Sequence, residues 1–278
     1  MFSVTPTGQE FDLELNKIYT GKITIINSSD ADSDFNYQVS AAPYSVIGED
    51  YDVDLVTKSN HSMMAEWITI NNPTGSLKPG EQREVEFTIS VPESAPAGGQ
   101  YASILVTEDN QSYSGGSAIN GVFEIASLVY ANVAGETYHD GEILENNIPG
   151  FIMSTPMSVG SLLSNNGNIH ESAITLLQIK NLITGEIILS KDQNGGRYSE
   201  AIMPETVRRT DYKIDNLPAA GLIAVTQTIY YGGETSVETR NVVICPLWFM
   251  AAVVILIGVI ISAVVVRIKK RKLKKSAI

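Results

Sequence analysis

The chain has 278 residues, of which 44% are hydrophobic and 18% charged, and its formal net charge is -12. This hydrophobic share excludes a disordered chain and is sufficient for buried cores in two domains of ordinary size. Cys245 is the only cysteine, which excludes an intramolecular disulfide. Seven of the 19 basic residues lie within 267–278, so the rest of the chain is strongly acidic. Because such a body repels phosphate backbones, we expect no nucleic-acid partner.

The N-terminal segment MFSVTPTGQEFDLEL has neither a charged n-region nor an apolar h-region. It is therefore not expected to be a signal peptide. We expect Met1 to begin a trimmed or recombinant mature chain whose native gene encodes a signal peptide ahead of Phe2.

Short runs rich in β-branched and aromatic residues follow, namely ITIIN, FNYQVS, REVEFTISV, QYASILVTE and GVFEIASLVYANV. Turn-forming clusters separate them, namely NSSDADSD, NNPTGSLKPGE, PESAPAGG and SYSGGS. No segment before Pro246 sustains a helical period. Strands at this spacing predict an all-β fold built as an Ig-like antiparallel sandwich.

The pattern recurs further along the chain. Residues 77–106 and 203–229 both pass from Pro-Glu or Pro-Gly-Glu through a polar strand to a proline, an Ala-Gly pair and another strand. GKITIINSSD at 21–30 and GSLLSNNGN at 160–168 are also similar, since each is a strand that ends in an Asn-rich turn. The sequence therefore predicts two tandem sandwiches. We place the membrane-distal one at 1–134 and the membrane-proximal one at 135–245.

Both units resemble one family of bacterial surface proteins. FSVTPTGQEFDLELNKIYTGKITIINSSD and LKPGEQREVEFTISVPESAPAGGQYASILV resemble the N-terminal domain of WxL-interacting surface proteins of Gram-positive bacteria. NNGNIHESAITLLQIKNLITGE, IMPETVRRTDYKIDNLPAAG, YYGGET and VVICPLWFM resemble membrane-proximal modules of related proteins, which run directly into a membrane span and a basic tail. The resemblance implies a first domain that contacts peptidoglycan and a second that contacts a protein partner. It assigns no individual site residue.

The segment 246–266 predicts a single transmembrane helix. Residues 247–266 contain no charged residue and would span about 30 Å as a helix, which is the thickness of the hydrocarbon core of a bilayer. Pro246 suits the first helical turn and Trp248 suits the water–lipid interface. Gly258 and Ser262 form a small-xxx-small pair that would allow a helix-mediated homodimer.

A basic tail at 267–278 follows the apolar segment. The residues of this tail that we expect to anchor the chain are Arg267, Lys269, Lys270, Arg271 and Lys272. The positive-inside rule places this tail in the cytoplasm and both sandwiches outside a plasma membrane that the chain crosses once. The membrane lipid bilayer is therefore an expected partner, and anionic lipid should attract the tail.

No enzyme signature is present, so we expect a non-catalytic protein without a cofactor. His61, His139 and His170 lie far apart and are expected to be solvated loop residues. The alternating carboxylates in DADSDFN at 30–36 and EDYDVD at 49–54 could ligate calcium, although Phe35 stands where a calcium loop requires glycine. The alternative is a polar turn that leads into a strand.

Trp67 is the one candidate ligand contact in the first sandwich. It belongs to the core or an edge of the sandwich, or it is exposed and stacks on a sugar ring. The exposed loops NSSDADSD, SNHSMM and DNQSYSGGS supply further polar groups on the same domain.

The leading hypothesis is a membrane-anchored adhesion or scaffold protein that binds a cell-wall polymer or a surface protein partner. The alternative is a membrane-anchored assembly chaperone or accessory subunit for other surface proteins. Addition of a partner strand to a sheet edge is an expected binding mode under the leading hypothesis.

Overall fold

The computed structural model describes residues 2–108, 123–190 and 196–275. Contacts divide the chain into two compact units. The first unit comprises Met1–Glu142, Leu163–Ser172 and Ala201–Arg209, and the second comprises Ile143–Leu162, Ala173–Glu200 and Thr210–Ile278. The sequence boundaries that we expect after residues 134 and 245 remain predictions.

The first sandwich is formed by the strands that precede residue 134. In chain order these strands are β1 (Phe2–Thr5), β2 (Gly8–Leu13), β3 (Ile18–Asn27), β4 (Phe35–Pro43), β5 (Ser45–Ile47), β6 (Asp52–Asp54), β7 (Ile68–Ile70), β8 (Thr74–Leu77), β9 (Gln82–Ser90), β10 (Gly98–Glu108) and β11 (Glu124–Val133). A short 3₁₀ helix, Met63–Trp67, precedes β7.

The strands of the first sandwich form two main sheets. One sheet has the order β1-β3-β9-β7 and the other has the order β2-β11-β10-β4-β8, while β5 and β6 form a separate hairpin. Neighbouring strands are antiparallel except that β2 runs parallel to β11. The N-terminal segment therefore contributes its first strand to one sheet and its second strand to the other.

The second sandwich repeats this plan. Its strands are β12 (Gly141–Asn147), β13 (Phe151–Ile152), β14 (Met157–Asn165), β15 (Glu171–Asn181), β16 (Ile187–Leu189), β17 (Arg197–Ile202), β18 (Thr206–Ile214), β19 (Gly221–Tyr231) and β20 (Glu234–Ile244). They form sheets of order β12-β14-β18 and β13-β20-β19-β15-β16, and β17 also pairs with β15. β13 runs parallel to the last strand, β20, as β2 runs parallel to β11. The predicted fold class, two tandem Ig-like sandwiches followed by a helix, is confirmed.

Alternation of apolar and polar residues explains why these segments form strands. β3 and β9 bury every second residue, including Ile23, Ile25 and Phe87 in the first core. Leu177 and Val225 are likewise fully buried in the second core. Burial of each such side chain stabilises the fold by about 1.5–3 kcal/mol.

A buried asparagine at the end of the equivalent strand marks the repeat in atomic detail. Asn27, at the end of β3, donates from Nδ2 to the carbonyls of Ser33 (3.2 Å) and Leu77 (3.0 Å). Asn165, at the end of β14, donates from Nδ2 to Ile169 (2.8 Å) and Ile202 (2.9 Å). Each side chain thus joins two backbone carbonyls from separate segments of the chain. The Asn-rich turns of the two predicted repeats have the same structural role.

The C-terminal helix, α1, extends over Leu247–Lys275. Its segment Leu247–Ile268 has 22 residues and a mean hydropathy of 3.1, and none of its most apolar window is buried in the protein. By length and composition this helix can cross a membrane. The helix continues into the basic tail because lysine and arginine are good helix formers.

Candidate functional site

The predicted anchor residues at the start of α1 lie where the helix begins. The carbonyl of Pro246 accepts the backbone N–H groups of Phe249 (3.0 Å) and Met250 (3.1 Å), and proline itself needs no donor partner. Trp248 is exposed, as an interfacial tryptophan would be. Pro246 therefore connects the last strand of the second sandwich to the helix without a flexible linker.

Gly258 and Ser262 lie on one face of α1. The Ser262 hydroxyl donates to the Gly258 carbonyl at 2.8 Å, and nothing lies within 4 Å of the position that a Cβ of Gly258 would occupy. The serine thus satisfies its own hydroxyl within the helix and leaves a shallow surface at this pair. The helix-mediated homodimer remains a prediction.

The basic anchor residues extend the helix beyond its apolar segment. Arg267 is exposed, and the backbone of Lys269, Lys270, Arg271 and Lys272 is helical. Residues 276–278 of the predicted tail lie outside the described residues. The cytoplasmic location of the tail remains a prediction.

A cavity of about 490 Å³ opens at one end of the first sandwich. Its floor includes Phe2 and Phe35, whose rings stack with centroids 4.1 Å apart. Phe123 at its rim is 68% exposed. The rim is acidic, with carboxyl groups from Asp32, Asp34, Glu108 and Glu124. The predicted loop NSSDADSD therefore contributes to a cavity, whereas the loop DNQSYSGGS lies outside the described residues.

Two of the carboxylates proposed as calcium ligands, Asp30 and Asp54, are engaged in local turns. Asp54 Oδ1 accepts the backbone N–H groups of Val56 (2.8 Å) and Thr57 (3.0 Å), and the hydrogen bonds from Thr57 lower the pKa of Asp54. The Ser28 hydroxyl donates to Asp30 and lowers the pKa of that carboxyl. Among the described residues, no group of three His, Cys, Asp or Glu side chains could hold a metal ion. Calcium binding remains a prediction without a site in this part of the chain.

Trp67 is not available as a ligand contact. Its side chain is only 9% exposed and packs in the core of the first sandwich with Met64, which is fully buried. The sugar-stacking alternative requires an exposed ring face, so the structure corrects it. Met64 also shows that the predicted loop SNHSMM is only partly a surface loop, since the 3₁₀ helix folds its end inward.

Two of the three histidines are not solvated loop residues, which corrects a second expectation. His61 Nδ1 lies 2.9 Å from the Gly99 carbonyl. His170 packs on Tyr101 and Tyr130, with ring centroids 5.7 and 5.6 Å away. Burial lowers the pKa of His170 and raises the pKa values of both tyrosines. Of the three, only His139 is exposed, beside Glu171 at 3.0 Å.

These aromatic residues belong to a cluster in the first unit that sequence analysis missed. Tyr44, Tyr101 and Met203 form its buried centre. Tyr51 accepts the backbone N–H of Met203 at 3.0 Å and contacts Thr206 through its hydroxyl. The cluster combines residues that are far apart in sequence, so no local motif announces it.

The first sandwich also leaves one side open. β1 pairs with residues 24–27 of β3 and ends at Thr5, so Ile18–Ile23 of β3 have β9 as a neighbour on one side only. β2 forms the edge of the other sheet on this same side. A groove of about 400 Å³ lies between them, and Phe11, Thr20 and Gly21 are among its lining residues. The edge therefore presents unpaired backbone groups beside a groove.

Comparisons with known proteins give structural similarity without a family. No protein-family model matches the sequence, and no curated protein matches it. One similar structure is a chaperone–tip adhesin complex of CFA/I fimbriae biogenesis, with 11% identity, a TM-score of 0.42 and coverage of 86% of this chain and 98% of that chain. Another is the CsuC–CsuE chaperone–tip adhesion subunit complex of Acinetobacter baumannii, with 13% identity, a TM-score of 0.41 and coverage of 86% and 98%. The E. coli chaperone DraB has 11% identity, a TM-score of 0.39 and coverage of 88% and 96%.

The predicted site residues fall into separate places in the chain. The anchor residues share one helix, Trp67 lies in a core, and the acidic loop residues surround a cavity. The open side of the first sandwich was expected only in general terms, as a sheet edge. Its position depends on where β1 ends, which Pro6 indicates in sequence, because proline cannot donate to a ladder.

Proposed function

We propose that this protein is a non-catalytic, single-pass membrane protein of the cell surface that binds a protein partner through its first sandwich. The observation that carries the proposal is the open side of that sandwich, where β2 and residues 18–23 of β3 each have a neighbouring strand on one side only among the described residues. An unpaired edge beside a groove is a surface on which an extended segment of another protein can add a strand. α1 would hold the protein in the membrane, with the basic tail in the cytoplasm.

Of the two roles that the sequence leaves open, this geometry supports the assembly or accessory role better than adhesion. Strand addition recognises an extended segment, and a surface protein exposes such segments before its own sheets are complete. A stable scaffold would require a broad complementary surface instead. In this role the protein would hold another surface protein at the membrane during assembly.

Binding of a cell-wall polymer is the second candidate function, and the acid-rimmed cavity favours it. Exposed aromatic rings such as Phe123 can stack on sugar rings, and carboxylates such as Asp32 and Glu108 can accept hydrogen bonds from sugar hydroxyls. The same carboxylates would repel an anionic polymer, so this candidate is restricted to neutral wall sugars.

Photo-crosslinking in intact membranes tests the proposed function. A photoreactive residue at Thr20, in the groove, should crosslink to another surface protein, and one at Asp32, in the cavity, should not. Val237, which is 63% exposed in the second unit, is the matched control position and should give no crosslink to that partner. Crosslinks to wall fragments from Asp32 would support the second candidate. Crosslinks to a protein from Val237 alone would contradict the role of the first sandwich.

A further inference from the structure

The direction of the backbone groups on β2 can be derived from its pairing with β11. The carbonyls of Thr7 and Leu13 accept the N–H groups of Leu128 (2.9 Å) and Ala134 (2.7 Å). Because backbone groups alternate in direction along a strand, the odd-numbered residues of β2 face β11. Gly8, Glu10 and Asp12 therefore direct their N–H and C=O groups away from β11. No described residue pairs with β2 on that side.

The side chains of β2 alternate between two environments. Leu13 is buried and Phe11 packs against the core of the first sandwich, with its ring 6.3 Å from that of Phe87. Glu10 and Asp12 lie on the exposed face of the strand. A strand added beside β2 would therefore place alternate side chains next to an apolar groove and next to two carboxylates.

The opposite wall of the groove is partly compensated. Lys22 of β3 forms an ion pair with Glu84 at 2.9 Å, and Glu86 accepts a hydrogen bond from Asn71 at 3.0 Å. Glu10 and Asp12 form no ion pair with another residue in the part of the chain that the structure describes. Among the described residues, β2 therefore contributes two carboxylates without an ion pair to this side of the sandwich.

The sheet edges at β7, β8 and β20 are less suitable for a partner strand. β7 and β8 contain three and four residues, which leaves little backbone to pair. In the second sandwich, β20 extends beyond its short partner β13, but residues 146–150 contact that side of it. Asn146 donates to the Ser236 hydroxyl at 2.8 Å, and Arg240 donates to the Ile148 carbonyl at 2.7 Å. Among the described residues, no strand pairs with the outer edge of β2, which has six residues.

We infer that β2 is the strand-accepting edge and that its occupant is an extended protein segment in which apolar residues alternate with lysine or arginine. The apolar side chains would enter the groove beside Phe11, and the basic side chains would pair with Glu10 and Asp12. This inference rests on the proposed function, since it specifies the site and chemistry of the protein partner. It predicts that charge and backbone hydrogen bonding both contribute to binding.

Binding of synthetic peptides to the full chain in detergent micelles tests the inference. A fluorescein-labelled peptide of alternating valine and lysine should bind and should slow hydrogen exchange at the amides of Glu10 and Asp12. The same peptide with alternate amides N-methylated should bind roughly tenfold more weakly, because it cannot pair with a strand edge. Equal binding of the methylated peptide, or no binding of the unmodified one, would overturn the inference.

Two variants separate the edge from other acidic surfaces. Glu10→Lys with Asp12→Lys should weaken peptide binding roughly tenfold or more by reversing the charges opposite lysine. The matched control is the double variant Asp32→Lys, Asp34→Lys at the cavity, which should leave peptide binding unchanged. Glu10→Pro removes an outward N–H that β11 does not use, so it should weaken binding without loss of the native circular dichroism spectrum. If the control variant weakens binding as much as the edge variant, general charge attraction and not β2 explains the binding.

These results also distinguish the inference from the proposed function. If a partner crosslinks to Thr20 and still binds the double variant Glu10→Lys, Asp12→Lys, the role of the β2 edge is refuted. The proposed function would remain intact. The absence of any protein crosslink from the first sandwich would refute the proposed function itself.

Discussion

His170 is a residue whose environment links stability to pH. The Tyr101 hydroxyl lies 3.1 Å from its Nδ1 and accepts its backbone N–H at 3.0 Å, so the neutral imidazole can accept the hydroxyl proton. Protonation would place a donor where an acceptor is needed, in a half-buried position. Burial accordingly lowers the pKa of His170 from its ordinary value of 6.5.

The free energy of unfolding should therefore decrease as the pH falls below 6.5. The folded pKa lies below the unfolded pKa, so the unfolded chain binds the proton more readily in this window. The decrease should reach at most about 1.4 kcal/mol per pH unit from this residue. His170→Asn keeps an acceptor for Tyr101 and does not titrate, so urea unfolding at pH 7 and pH 5 should show a smaller decrease for this variant.

His139→Asn is the matched control for this measurement. His139 is exposed and contacts only the Glu171 carboxyl among the described residues, so its replacement should leave the decrease between pH 7 and pH 5 in place. An identical pH dependence of wild type and His170→Asn would show that another group causes the loss of stability in acid.

At the scale of elements, the alternation of apolar and polar residues predicted the long strands well and the short strands poorly. β3, β9 and β10 follow from ITIIN, REVEFTISV and QYASILVTE, where apolar residues recur at every second position or form a continuous run. The division of the N-terminal segment into β1 and β2 was not predicted, because four to six residues around Pro6 give little periodic signal. The position of the open edge depends on where β1 ends and β2 begins, so this position was not predicted either.

The candidate site was less predictable than the fold for the same physical reason. Trp67 and His170 lie in segments that read locally as strand or loop, and their burial depends on distant partners such as Phe87 and Tyr101. The spacing of residues along the sequence does not indicate such long-range contacts. The anchor residues were predictable because a membrane span depends on local composition alone.

The helix α1 allows a test of topology. With the sandwiches outside, protease added to wall-free cells should remove most of the chain and leave a fragment that contains the 29-residue helix. The positive charges at Arg267 and Lys269 should hold the C-terminus inside. A tag at the C-terminus should become accessible to protease only after the cells are lysed. Full protection of residues 1–245 from protease would instead place the sandwiches in the cytoplasm.

At the scale of the whole molecule, the contact-defined first unit does not end where the first sandwich ends in sequence. It includes Leu163–Ser172 and Ala201–Arg209, which supply His170 and Met203 to the cluster around Tyr101. Folding of residues 1–134 alone as an all-β domain would therefore carry a free-energy cost. The isolated segment would expose Tyr101, which is 2% exposed in the full chain.

We expect residues 1–134 to fold but to be less stable than the same region within residues 1–245. Exposure of Tyr101 and Tyr44 should lower the free energy of unfolding by about 2–4 kcal/mol. Urea titration followed by circular dichroism gives the comparison, with Tyr101→Ser in residues 1–245 as a control that removes the same contacts. Equal stability of the two chains would show that the cluster contributes nothing, and an unfolded 1–134 would show that the sandwich requires it.

The short connection between β20 and α1 determines how the protein responds to tension. Only Cys245 and Pro246 separate Ile244 from the helix, so a pull on an anchored helix loads β20 directly. β13 runs parallel to β20 at this end, where Val243 donates to Gly150 at 3.1 Å and Cys245 donates to Ile152 at 3.0 Å. Force applied between the N-terminal side and the helix shears these parallel bonds together instead of opening them one at a time. The rate at which these strands separate cooperatively then determines when the second sandwich unfolds under force. Such a rate-limited response suits a module that must stay folded while its anchor is pulled.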